Sequence, residues 1–404
     1  MPFRDVVILS AARTPIGRYG GSFKDLHPAE LGAAAARAAI ERAGIAASDV
    51  DEVVVGHGRQ AGSGPNPGRQ VGRRAGIPDR APAQTINKAC ASSLQAIVSG
   101  AQSIMLGESD IVLAGGIESM SRMPYLVDSI DARWGHRMGN FTLVDAMYRD
   151  GFQCPLSNLI MGETAEILGR QHSITREQSD AFALDSQRKA KAAIEAGYFA
   201  REIAPVTLPG SRSDADHIVV DRDEHPRGDT TIEILRRLPP VFGDVEGRPG
   251  IITAGTSSGI TDGGAALVLA SAETARARGL EPAAKILGWA SAGVDPRIMG
   301  IGPVPAIQKL RERLGLGLDD FDLVELNEAF AVQVLAVLAE TPIAADRLNV
   351  NGGAIALGHP IGCTGARMVV TLLHELERRG AMRGLATLCV SGGMGMALAI
   401  ERIG

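Results

Sequence analysis

Four residues of this 404-residue chain have the types and neighbours that covalent chemistry needs. Cys90 stands in Asn87-Lys88-Ala89-Cys90-Ala91-Ser92-Ser93, ahead of Leu94, Ile97, Val98, Ala101, Ile104 and Met105, which recur at helical spacing. A thiol at a helix N-terminus has its thiolate favoured by the helix dipole and by free N–H groups, so Cys90 is a candidate nucleophile. His359 lies in the stretch 349–367, which holds five glycines, one proline and one histidine between apolar runs. Glycine at that density permits sharp turns and close backbone approach, and His359 is placed to take the thiol's proton. Cys389 ends an apolar strand-like run beside Ser391-Gly392-Gly393 and can serve as a second acid or base, its thiol tuned toward neutrality. Asn327 directly follows the apolar run 323–326, where its amide can hold a water or an oxyanion. A helix N-cap is the simpler local reading. Each residue also has a bland alternative: core packing for the two cysteines, an incidental histidine on a structural turn.

Other residues offer less. Cys154 and Cys363 read as packing residues, and His27, His136, His172 and His217 as surface. No CxxC pair exists, and His374-Glu375-Leu376-Glu377-Arg378 lacks the second histidine of a zinc helix, so neither a metal site nor a disulfide framework is expected. Gly300-Ile301-Gly302-Pro303 is half of a dinucleotide fingerprint without its strand–helix–strand setting.

The elements that must position these groups alternate. The pattern predicts strands at 6–9, 50–55, 110–114, 285–289, 323–326 and 385–390, the last being the final strand. It predicts helices at 28–43, from about 94, at 305–314, from 327–330 to 339, and from 364. Such alternation argues an α/β chain with a largely parallel sheet covered on both faces. Residues 119–249 are richer in charge and turn signals, with one clear helix at 175–196 opened by the capping box Thr175-Arg176-Glu177-Gln178. That region reads as an insertion, and its part 217–229 as an exposed loop. In both halves a loop-borne candidate, Cys90 and then His359, leads into a helix, a strand and a double glycine (Gly115-Gly116, Gly392-Gly393). The repetition suggests a duplication.

Hydrophobic residues make up 45% of the chain and charged ones 22%, as in a folded protein with two or three domains. A net charge of −5 gives no global reason to bind nucleic acid or an anionic membrane. The chain passes from Met1-Pro2-Phe3-Arg4-Asp5 into a strand, and no apolar run looks long enough to span a bilayer, so a cytoplasmic location is expected.

Taken together, these pieces resemble the thiolase family nearly end to end, from Ala12-Arg13-Thr14-Pro15-Ile16-Gly17 onward. Four blocks carry the resemblance in the family's order. They are the Cys90 block quoted above; Asn327-Glu328-Ala329-Phe330; Gly352-Gly353-Ala354-Ile355-Ala356-Leu357-Gly358-His359-Pro360-Ile361-Gly362; and Cys389-Val390-Ser391-Gly392-Gly393-Met394-Gly395. The resemblance implies a five-layer αβαβα fold: an N-terminal half over 1–118 completed by about 254–280, a loop domain over 119–253, and a C-terminal half over 281–404. It implies an acyltransferase with coenzyme A and acyl-CoA as substrates and no other cofactor, as in fatty-acid β-oxidation, assembled as a homodimer or homotetramer.

The implied roles follow the same blocks. Cys90 becomes acylated and His359 activates it. Asn327 holds a water that, with His359, stabilises an enolate, while Cys389 moves the α-carbon proton. The backbone N–H groups of Cys90 and Ser391 form an oxyanion hole. Ser258 and Ala254, in the glycine-rich loop from 253, match pantetheine-binding positions. Met161, Phe242, Met299 and Phe330 match the pantetheine or acyl pocket, and Arg227 the nucleotide end of CoA. Two departures stand out. Ile160 precedes Met161-Gly162 where short-chain biosynthetic members often carry histidine, which admits chains longer than acetoacetyl. Ser391 replaces a frequent glycine, with only its N–H required. A ketoacyl-carrier-protein synthase shares the fold but uses a histidine where Asn327 stands and lacks the counterpart of Cys389. A non-catalytic acyl-CoA-binding homologue would have lost the reactive set.

Overall fold

The computed structural model describes residues 3–208 and 217–403, so Met1 and Pro2 of the expected lead-in lie outside the described residues. In chain order the sheet-building elements begin with β1 (Val6–Arg13), α1 (Pro28–Arg42), β2 (Glu52–His57), β3 (Ala83–Ile86), α2 (Ser92–Leu106) and β4 (Ile111–Ser119). An excursion contains α3 (Met161–Gln171), α4 (Arg176–Glu195) and short two-stranded pieces. The chain returns as β5 (Thr261–Ser271) and β6 (Ala284–Gly293), then α5 (Pro303–Leu314), β7 (Leu323–Leu326), α6 (Ala331–Glu340) and α7 (Ala354–Leu357). It closes with α8 (Thr364–Arg379), β8 (Arg383–Val390) and β9 (Met394–Arg402).

The sheet order is β7-β8-β9-β6-β1-β5-β4-β2-β3. It contains the same quartet twice. β2 runs parallel to β4, β4 antiparallel to β5, and β5 antiparallel to β1; β7, β8, β9 and β6 repeat those relations in that order. Even a register shift recurs, between Ile8 and Ser10 in β1 and between Ile286 and Gly288 in β6. Among the described residues, the strands of the two quartets pair with each other where Val7 and Ile8 meet Lys285 and Ala284. The duplication is therefore written in strand order more plainly than in residue identity.

Three apolar cores separate five layers. α1 packs outside the first quartet through alanines such as Ala29, Ala33 and Ala36, against Val7, Val55 and Val268. α2 and α8 share the central core, where Leu94, Ile97, Met368 and Val369 meet Leu267 on one side and Leu388 on the other. α5 and α6 cover the second quartet through Ile307, Leu310 and Val334. Small side chains let these helices sit close to the sheet, and burial at about 25 cal/mol per Å² of apolar surface holds them there.

Several sequence expectations change. β4 does not stop at Gly115-Gly116 but runs through them, paired on both sides; glycine stands there because a Cβ on Gly115 would collide with the Ala265 carbonyl and one on Gly116 with the Gly362 carbonyl. Gly392-Gly393 is a genuine turn, since both residues have positive φ, so the two double glycines are not equivalent. β8 is not the last strand; β9 follows it. The excursion holds a second long helix, α3, whose Ile160 cap offers no side-chain acceptor; Glu163 instead accepts from the Ile160 N–H at 2.8 Å. Within 217–229, Asp223 is buried against Arg13 at 2.7 Å rather than exposed. The stretch Ala89–Leu106 is long and apolar enough to cross a membrane by length and composition, contrary to expectation, yet it is the buried helix of the central core.

Candidate active site

Cys90 sits two residues before α2, on a tight turn. Ala89, just before it, has φ +45, a left-handed conformation that a residue with a Cβ adopts at a cost. The turn is held by Asn87 Oδ1, which accepts from the Ala89 N–H at 2.9 Å, and by Ser92 Oγ, which accepts from the Lys88 N–H at 2.9 Å. The Cys90 thiol faces its own N–H and that of Ser391, the pair expected to form an oxyanion hole. Cys389 lies close enough to feel the charge of a Cys90 thiolate.

The electrostatics depart from the sequence expectation. Cys90 keeps part of its surface open, yet burial of the thiol pushes its pKa up. Arg59 and the two N–H groups oppose that rise without overcoming it. Burial pushes Cys389 up as well, and the neighbouring Cys90 adds to it, so Cys389 is not tuned toward neutrality. Burial pushes His359 down to about 3, with the cations Arg367 and Arg59 adding to the shift. The resting site is thus two neutral thiols and a neutral imidazole. The proton of Cys90 must leave as the sulfur attacks, not before.

His359 is presented by Gly358, whose φ of +100 and close approach to Thr261 both exclude a side chain. The His359 N–H donates to the Gly259 carbonyl at 3.0 Å. Its Nδ1 lies 2.6 Å from Thr364 Oγ1. That hydroxyl already donates to the Pro360 carbonyl at 2.9 Å, so it accepts from Nδ1–H, and Nε2 keeps its lone pair. Nε2 is buried and has no hydrogen-bond partner among the described residues. The same holds for both amide atoms of Asn327. Asn327 is not an N-cap, since α6 begins at Ala331 after Phe330; its backbone N–H is tied to the Thr387 carbonyl at 3.0 Å, two residues before Cys389. Buried polar atoms without partners are rare in folded proteins and mark places where a ligand or water completes the bonding.

Supporting residues escaped the sequence reading. Glu118 accepts from the Gly362 N–H at 2.8 Å and the Arg59 N–H at 3.3 Å, fastening the His359 loop to the end of β2. Glu328 accepts from the Ile355 N–H, Ser186 Oγ and Asn349 Nδ2 at 3.1, 2.7 and 2.8 Å, locking α7 against α4. Their signal in sequence was slight: Glu118 follows Gly115-Gly116 closely, and Glu328 stands directly after Asn327. Of the cysteines read as bland, Cys363 is pushed up to about 12, mainly by burial. Cys154 is lowered: although burial opposes it, the Ser157 hydroxyl and the N–H groups of Ser157, Leu156 and Gly392 prevail.

A cavity of about 480 Å³ adjoins this centre through neighbouring residues, while Cys90, Asn327, His359, Cys389 and Ser391 do not themselves line it. Ala254, Ser258, Arg227, Met161, Phe242 and Phe330 all line it. Met299 does not; it packs with Cys389 and Ala329, against which Met161 and Phe330 also rest. Phe152 and Ile260 line the cavity and pack in the cluster that includes Cys90. Lining residues of the cavity thus pack in the same clusters as the two thiols. Ile160, Tyr148, Val241 and His225 line the cavity as well; of these only Ile160 stood out in sequence, as a departure bearing on chain length. The loop at 253–260 is pinned beside the Asn327 segment by Ser258 N–H to the Ala329 carbonyl at 3.0 Å and Ala331 N–H to the Thr256 carbonyl at 2.9 Å.

Comparison with known proteins gives concordant matches. The family described as thiolase, N-terminal domain, matches residues 6–273, and thiolase, C-terminal domain, matches residues 280–402. An acetyl-CoA acetyltransferase of Pseudomonas aeruginosa is 49% identical over 399 residues, covering 99% of this chain and 100% of the relative. The crystal structure of the Bacillus anthracis acetyl-CoA acetyltransferase superposes with a TM-score of 0.95 at 46% identity, covering all of both chains. The crystal structure of human mitochondrial 3-ketoacyl-CoA thiolase in complex with CoA superposes with a TM-score of 0.93 at 42% identity, covering 99% of this chain and 98% of that one.

Proposed function

Since the chain belongs to the thiolase family and is a thiolase by activity, we propose that it cleaves 3-ketoacyl-CoA with CoA, or runs the reverse condensation, through an acyl-Cys90 intermediate. The observation that carries this is the thiol of Cys90 facing its own N–H and that of Ser391, with Cys389 near enough to feel its charge, beside a cavity whose residues Phe152, Ile260, Met161 and Phe330 pack in the clusters that hold the two thiols. In cleavage, Cys90 Sγ attacks the 3-keto carbonyl while its proton passes to His359 Nε2. The oxyanion forms in the pair of N–H groups, each such donor supplying about 3–4 kcal/mol in a site closed to water. Collapse breaks the bond between the α- and β-carbons. The departing enolate is stabilised by His359 Nε2–H and a water on Asn327, and its α-carbon takes the proton of Cys389. CoA then gives its thiol proton to the Cys389 thiolate and attacks the acyl group; the bond from the acyl carbon to Cys90 breaks, and the departing Cys90 sulfur takes its proton back from His359 Nε2. Covalent catalysis thus divides one hard transfer into two easier ones.

The apolar wall of Ile160, Phe152, Tyr148 and Val241 supports acyl chains longer than acetoacetyl. The acetoacetyl-CoA reading draws on Met299, Met161 and Phe330 closing around Cys389. Ser258, Ala254 and Phe242 hold the pantetheine arm, and Arg227 the nucleotide end. The division into two halves and a loop domain, at 118, 253 and 280, belongs to the same proposal. So does a homodimer or homotetramer, supported by exposed Tyr125, Ile130, Trp134, Met138 and Leu143. A cytoplasmic location accords with four free cysteines. CoA-dependent cleavage across 3-ketoacyl-CoAs from acetoacetyl to long-chain tests the substrate reading. Activity that holds or rises with length supports the open channel; activity confined to acetoacetyl-CoA supports the second reading; no cleavage at any length defeats both.

A further inference from the structure

His225 comes from the polar stretch between the last short strand, Ile218–Val220, and the segment leading to Phe242, far in sequence from His359. Two anchors fix its backbone. Asp223 binds the Arg13 guanidinium at 2.7 and 3.0 Å and the Ile16 N–H at 2.8 Å, and Arg227 N–H donates to Gln187 Oε1 at 2.9 Å. The imidazole then reaches both backbone segments that present His359. Its Nδ1 lies 2.8 Å from the Ala356 carbonyl on α7, three residues before His359. Its ring lies against Gly259, so closely that a Cβ there would collide with it, and the Gly259 carbonyl is the one that holds the His359 N–H. A carbonyl only accepts, so Nδ1 carries the proton and Nε2 is an acceptor. Nε2 has no hydrogen-bond partner among the described residues, and the side chain lines the substrate cavity beside Ser258 and Arg227.

We propose that His225 is a positioning residue that clamps α7 to Gly259 and so fixes His359, while its Nε2 accepts a hydrogen bond from an amide N–H of the pantetheine arm of CoA. Burial lowers the His225 pKa, which keeps Nε2 unprotonated at neutral pH. The inference rests on the thiolase reading above, because only a CoA substrate brings that arm into this cavity. It links occupancy of the CoA channel to the geometry of His359.

Isosteres separate the two bonds. The amide nitrogen of asparagine sits where Nδ1 does, and the amide end of glutamine reaches the place of Nε2. Steady-state cleavage of acetoacetyl-CoA by the full-length enzyme, with CoA varied, reads kcat and KM for CoA in His225→Phe, His225→Asn and His225→Gln. Each lost hydrogen bond corresponds to a change of about threefold to tenfold. His225→Phe should lower kcat and raise KM for CoA, each by about that factor. His225→Asn should recover most of kcat while KM stays high, and His225→Gln should recover KM while kcat stays low. Equal kcat in the Asn and Phe variants, or a KM for CoA that none of the three moves, overturns the assignment. Absence of cleavage by the wild-type enzyme overturns the thiolase reading together with it, and needs no variant to be seen.

Discussion

The tautomer of His359 is set by a single hydroxyl, and Thr364→Val removes it while keeping the branched shape. In the wild type the Nδ1–H of His359 is buried and bonded to Thr364 Oγ1 at 2.6 Å, leaving the Nε2 lone pair for the Cys90 proton. Valine accepts no hydrogen bond, and a buried unpaired N–H costs about 1–3 kcal/mol. The imidazole reduces that cost by shifting its proton to Nε2, where a water or ligand completes the bonding of this otherwise unpartnered atom, and the shift removes the lone pair the reaction needs. The productive tautomer is then depleted by the same energy, about fivefold to about 150-fold. Acylation of Cys90 by acetyl-CoA should slow by that factor when followed by rapid quench and intact mass. Thr364→Ser keeps an acceptor at the same place and should restore most of the rate. Acylation at the wild-type rate in Thr364→Val, or an equal loss in Thr364→Ser, would refute the tautomer argument.

Other outcomes follow from the same geometry. Cys389→Ala should leave Cys90 able to take an acetyl group but stop exchange of the α-protons of acetyl-CoA into deuterated water, and equal loss of both would contradict the separate roles of the thiols. With His359 pushed down to about 3, the acylation rate should be flat with pH across the range where an ordinary histidine titrates, and an acid limb near 6.5 would contradict the neutral resting site. Burial raises Glu325 to about 7 despite Arg367 at 3.0 Å. A folded pKa above the unfolded one gives stability that is full below about 4.5 and is lost as pH rises through about 7. The Tm of the wild type relative to Glu325→Gln should therefore fall across that window, and a constant difference would contradict it.

The catalytic candidates were legible because their chemistry is local. Cys90, His359, Cys389 and Asn327 each border a strand end, a helix start or a glycine turn, and those signals lie within a few residues. The family blocks added the order in which they work. The pKa directions were not legible: a helix N-terminus favours the Cys90 thiolate, but the burial that outweighs it comes from segments distant in sequence. Gly115-Gly116 read as a turn because sequence does not show that Ala265 and Gly362 press on them from neighbouring segments. The stretch holding Asp223 and His225 read as solvated because its partner, Arg13, lies 210 residues away. Thr364, Glu118 and Glu328 hold the reactive groups through bonds that only the folded chain brings together. The repeat, faint in residues, became plain in strand order because pairing and register outlast side-chain identity.

The central claim is that acyl transfer passes through Cys90. The direct measurement is to treat the enzyme with acetyl-CoA, quench in acid, digest, and locate the acetyl group by peptide mass. An acetyl group on Cys90, removed again by added CoA, is the predicted result. An acetyl group on Cys154, Cys363 or Cys389 instead, or no acetyl-enzyme in an active preparation, would contradict the account.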